Sequence, residues 1–158
     1  MAALKGPGLL QKVKQEFDDA GISIFNYYVN LNDTYTDEEI DATFEGAKAL
    51  GAKGVIRSYG LAVAKRLAPF PAKHGMFAGL DNHDNLSEQD TFSTEESIVK
   101  GLSFSPDFKA TLDVRHFTAA NQDYLITANT PSENAARRSE VVFFSSIVQF
   151  KRHRRDTI

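Results

Sequence analysis

Helix-like and strand-like patterns alternate along most of this chain, and that rhythm leaves few folds open. Pro7 and Gly8 open an apolar stripe of Leu9, Leu10, Val13, Phe17 and Ala20 at helical spacing, which Gly21 can end. Ile22 to Val29 is rich in β-branched and aromatic residues and reads as a strand. Thr36 with Glu39 three residues on is a capping box: the hydroxyl and the carboxylate each satisfy a free backbone N–H. The helix it starts puts Ile40, Phe44, Ala47 and Leu50 on one face and closes at Gly51. Gly54 to Ser58 is a short strand. Leu61, Ala64, Leu67 and Ala68 give another helix, ended by Pro69. Pro71 to His74 leads into the strand Met76 to Leu80. Ser93 and Glu96 read as a second capping box, opening a helix with Ile98, Val99 and Leu102. Phe108 to Val114 is the next strand, and Ala119 to Ala128 one more helix. This order, α-β-α-β-α-β-α-β-α, predicts parallel strands joined by right-handed crossovers.

The 158 residues fit one domain, and a hydrophobic fraction of 42% is enough for a real core. The chain divides at residue 128. Residues 129–158 diverge from the rhythm: Asn129 to Arg138 is polar, Val141 to Phe150 is a dense apolar run that reads as a last strand, and Lys151 to Arg155 is a basic, solvated tail. A formal charge of −3 gives no electrostatic footprint for nucleic acid. With no cysteine, carboxylate and imidazole are the only strong protein ligands. The longest apolar runs fall far short of the ~20 residues that span a bilayer. Met1 to Lys5 lacks the basic flank and apolar stretch of a leader. The expectation is a cytoplasmic protein with neither a membrane nor a nucleic acid as partner.

Two polar constellations stand out. Asp81-Asn82-His83-Asp84-Asn85 follows one predicted strand; Asp113, then Arg115 and His116, end another. Both fall at carboxyl ends of strands, where α/β enzymes keep their chemistry. Carboxylates and imidazoles one βα unit apart point to a metal or sugar site built from neighbouring strands. Each cluster alone also fits an ordinary polar loop with a helix cap. His74, just before a strand, reads as structural.

Four stretches resemble the sugar phosphate isomerase/epimerase family, the xylose-isomerase-like (β/α)8 barrels. They are Tyr35-Thr36-Asp37-Glu38-Glu39-Ile40-Asp41, Ala47-Lys48-Ala49-Leu50-Gly51-Ala52-Lys53, Gly79-Leu80-Asp81-Asn82-His83-Asp84-Asn85 and Leu112-Asp113-Val114-Arg115-His116-Phe117-Thr118-Ala119-Ala120. The resemblance runs from about Ile22 to Asp123, roughly two thirds of the chain. It implies an α/β fold, a partial TIM barrel of four to five parallel strands that lacks the first and last strands. It also implies a divalent ion (Mn, Mg, Zn or Co) and a small-molecule sugar or sugar phosphate. The activity it implies is isomerisation or epimerisation through a metal-stabilised enediolate. Residue by residue, Asp113 matches the family's aspartate ligand. Asp81 stands where the family places its first ligand, usually glutamate or histidine. These two carboxylates are the implied catalytic and metal residues, and His116 and His83 the implied substrate contacts.

The match has departures. Arg115 stands where the family usually has a small residue, so a long cation there is expected to intrude on the site or to pair with Asp113. A whole barrel takes ~250 residues. The family's later histidine and glutamate ligands are not recognisable, and the setting of His153 does not match. The chain therefore reads as a piece of a barrel enzyme, with a second copy closing the sheet in a homo-oligomer. Two other functions stay open: a metal-dependent hydrolase on the same scaffold, and a non-catalytic α/β binding module. A flavodoxin-like sheet is the alternative fold, although Asn30-Leu31-Asn32-Asp33 is no phosphate-cradling glycine loop.

Overall fold

Strands added one after another along a single direction define the architecture. A computed structural model describes residues 7–57, 60–86, 91–119 and 142–144. Its elements are α1 (Pro7–Asp19), β1 (Asn26–Tyr28), α2 (Asp37–Ala49), β2 (Gly54–Arg57), α3 (Leu61–Leu67), α4 (Phe70–His74), β3 (Phe77–Asp81), α5 (Glu95–Leu102), β4 (Phe108–Asp113), α6 (Val114–Ala119) and β5 (Val142–Phe144). The sheet order is β1-β2-β3-β4-β5, and every neighbouring pair is parallel. A flavodoxin-like sheet reverses direction at its switch point. No reversal occurs here, so the sheet is an arc of a (β/α)8 barrel.

Register and the two-residue period of a strand separate the two faces. Val55, Ala78, Leu80, Phe108, Ala110 and Leu112 point toward the helices and form one core with Ile40, Phe44, Ala47, Leu67, Phe92 and Ile98. Each such large side chain contributes about 1.5–3 kcal/mol when fully buried. The opposite face, which lines the interior of a barrel, carries Asn26, Gly54, Ile56, Phe77, Gly79, Asp81, Lys109, Thr111 and Asp113. At its amino-terminal end the Phe25 and Phe77 rings lie 5.9 Å apart, with Lys109 Nζ 5.2 Å from the Phe77 centroid.

Local chemistry explains most boundaries. Thr36 and Glu39 form the expected capping box at α2. The second box lies one residue on from Ser93 and Glu96. Thr94 Oγ1 accepts from Ser97 N and Ser97 Oγ from Thr94 N, both at 3.2 Å. Ser93 is committed elsewhere, donating to the Asn85 carbonyl at 3.0 Å. The first strand is shorter than Ile22 to Val29. It pairs only with β2 among the described residues, and single bonds at its flanks, Lys53 N–H to the Phe25 carbonyl at 2.8 Å and Val29 N–H to the Ile56 carbonyl at 3.2 Å, do not extend the ladder to Ile22. The run Pro71 to His74 is helical, not an approach to a strand. Proline fits a first helical turn because the missing N–H has no partner there, and Gly75 at φ 65° ends the helix. The fourth strand stops at Asp113, and Val114 already belongs to α6. Of the run from Val141, Val142–Phe144 pairs with β4. The predicted helix beyond Ala119, the division at residue 128 and the basic tail lie outside the described residues. No described helix is long and apolar enough to cross a membrane.

Candidate functional site

Asp81 is the last residue of β3 and Asp113 the last of β4. Asp81 sits beside Thr111 in the register, so Asp113 lies two residues further along the same face. Both carboxylates therefore share one rim of the arc. Their proximity has an electrostatic signature. Burial, and then the charge of Asp113, push the Asp81 carboxyl up to about 7, with His116 opposing.

Asn82 fixes the second carboxylate. It is 1% exposed. Its Oδ1 accepts from the Asp113 N–H at 2.6 Å, and its Nδ2 donates to the Asp113 carbonyl at 3.0 Å. The side-chain amide thus stands in for a peptide group and carries the β3–β4 ladder one rung past the strand. Asp113 then turns the chain: its Oδ1 accepts from the Arg115 N–H at 2.9 Å, at the start of α6. Arg115 itself is exposed and meets Asp113 through its backbone, so the expected intruding cation is directed outward.

That turn brings His116 back over the rim. Its Nε2 lies 3.9 Å from Asp113 Oδ2, and its Nδ1 lies 3.3 Å from Asp84 Oδ1. The His83 ring stands 4.7 Å from the His116 ring, and its Nδ1 is 4.0 Å from Asp84 Oδ1. His116 Nδ1 is buried and has no aligned hydrogen bond, although Asp84 Oδ1 lies 3.3 Å away. Partial desolvation raises the Asp84 carboxyl. Its own backbone N–H, His116 and His83 outweigh that and hold it below the usual carboxylate range. His83, Asp84 and His116 each offer a ligand atom within 4.8 Å of the others. Carboxylate and imidazole donors with one buried nitrogen lacking a hydrogen bond fit a divalent cation.

All four residues singled out from the sequence, Asp81, His83, Asp113 and His116, thus lie at one end of β3 and β4. Asp84 and Asn82 belong with them and were not assigned from the sequence. The signal for Asp84 was its place in a five-residue polar run after a strand. His74 is elsewhere, as its structural reading requires. Its buried ring stacks on Phe44 in the helical layer, with Nε2 2.7 Å from Asp41 and Nδ1 3.1 Å from Glu45.

No family model matches the sequence, and no curated protein matches it. Solved structures do. D-psicose 3-epimerase, crystallised in the presence of D-fructose, matches with a TM-score of 0.65 at 12% identity, over 88% of this chain and 57% of that one. The chain has, in part, the (β/α)8-barrel fold of these solved structures. A sugar phosphate isomerase/epimerase from Parabacteroides distasonis matches with a TM-score of 0.56 at 19% identity, over 73% of this chain and 53% of that one. The IolI protein with a bound zinc atom gives 0.60 at 17%, over 77% and 52%. The chain spans little more than half the length of these proteins. An AP endonuclease of family 2 from Brucella melitensis shares the architecture too, so the likeness fixes the fold and not the reaction.

Proposed function

We propose that the rim of β3 and β4 holds a divalent cation and a small sugar or sugar phosphate, and moves a proton beside the sugar carbonyl, as an isomerase or epimerase does. One observation carries this reading: two carboxylates end adjacent parallel strands on one face, with two imidazoles and a third carboxylate over them. A cation bound there would polarise a carbonyl and acidify the adjacent C–H.

The residues divide the work. Asp113, held by Asn82 and helped by His116, Asp84 and His83, is the group we assign to the cation. Asp81 stands beside them, and its surroundings favour the protonated form more than those of an exposed carboxyl. It is therefore our choice to take and return the proton at neutral pH. A hydrolase that held several metals would call on more histidines than the two on this rim.

The barrel's remaining strands belong to the same proposal. A second copy set against the open edges of the arc would cover them; two five-stranded arcs make ten strands, so the pair is not a simple eight-stranded closure. A homodimer in light scattering after gel filtration is the expected result, and a monomer at ~100 μM would contradict it. Catalysis is tested by proton exchange. Mn2+-stimulated exchange of a ketose C–H in D2O, lost in Asp81→Asn, is expected by proton NMR. Mn2+ binding without any such exchange would favour the binding-module reading.

A further inference from the structure

The inward face of the sheet, just below the rim, holds a polar group without a hydrogen-bond partner among the described residues. Thr111 is 2% exposed, and its Oγ1 is buried with no hydrogen-bond partner among the described residues. Thr111 pairs in register with Asp81 and precedes Asp113 by two residues on the same face. The hydroxyl therefore lies beside one carboxylate and one layer beneath the other. Gly79 makes room for that hydroxyl against β3: a Cβ there would stand 2.4 Å from Thr111 Oγ1. A buried, unpaired hydroxyl is costly, and a valine of nearly the same shape avoids that cost.

We infer that the Thr111 hydroxyl is a ligand-binding group of this rim, hydrogen bonding to an oxygen of a small hydroxylated ligand held against Asp81 and Asp113. The inference rests on the reading of the rim as a cation and sugar site. A hydroxyl both donates and accepts, so it can meet a carbonyl or an alcohol oxygen, directly or through one ordered water. A cation takes its strong ligands from carboxylate and imidazole, so the threonine acts on the organic ligand and leaves the ion to the rim.

Calorimetry with Mn2+ and then D-fructose tests this on the native chain, Thr111→Val and Thr111→Ser. All three are expected to take up Mn2+ alike. Fructose binding to the Mn2+-loaded protein falls at least about tenfold in Thr111→Val and persists in Thr111→Ser. Without ligand, Thr111→Val melts at or above the native temperature, which separates a binding role from a structural one. Equal fructose affinity in the native and valine proteins overturns the threonine assignment alone; no fructose binding to the Mn2+-loaded native chain overturns it together with the sugar half of the rim reading. Absence of Mn2+ uptake by the native chain overturns the reading of the rim and this inference with it. Should the valine variant fail to fold, Thr111→Ala provides a second hydroxyl-free chain for the same comparison.

Discussion

A single amide sets where the second carboxylate points. Asn82 satisfies both backbone groups of Asp113, so Asn82→Ala leaves a donor and an acceptor unpaired in a buried place. The expected loss is about 2–4 kcal/mol in urea unfolding, and Asn82→Asp loses at least as much, because a buried carboxylate there faces the Asp113 carbonyl. Asp81 makes a different prediction. Its folded carboxyl is raised from 3.8 to about 7, so between those values the folded chain binds more protons than the unfolded one. Stability from this group is complete below the lower value and is lost as pH rises through the upper one, by at most about 4 kcal/mol. Asp81→Asn should flatten the slope of urea midpoints between pH 5 and pH 8; an unchanged slope would assign it to other groups. Asp81, Asp113, His83 and His116 were legible as residues because strand ends advertise them. Asn82 and Asp84 were not, because their partners lie 31 residues away in Asp113 and 32 away in His116, and no local pattern reports such pairings.

Elements were legible wherever their signal was local. The Thr36–Glu39 box announced α2, and glycines at positive φ ended α2 and α4. The Ser93–Glu96 pattern failed by one residue, because Ser93 is drawn into bonds with Thr91 and Asn85. Paired prolines disguised α4 as a loop. Between strands, Gly79 matters more than its size implies. An added Cβ would meet Thr111 Oγ1 at 2.4 Å and Ile56 Cγ1 at 3.1 Å. Gly79→Ala should therefore cost about 1–3 kcal/mol, measured by thermal melting. Restoration of most of the loss by the double variant with Thr111→Ala would locate the clash at the hydroxyl.

The described sheet, taken together, is an arc of a barrel, and alternation alone could not say so. Barrels and doubly wound sheets share the same βα rhythm. They differ in the order in which strands join the sheet, which depends on contacts far apart in sequence. Here that order runs from β1 to β5 without reversal, which brings Asp81 and Asp113 to neighbouring strand ends. The resemblance carried by the strand-end motifs had already favoured the barrel, and the strand order agrees with it. The central claim is that this rim binds a divalent cation. Mn2+ titration followed by electron paramagnetic resonance, on the native chain and on Asp113→Asn, tests it most directly. Saturable uptake by the native chain, weakened at least about tenfold in the variant while its circular dichroism stays native, is the predicted result. Equal uptake by both chains, or none by either, would contradict it.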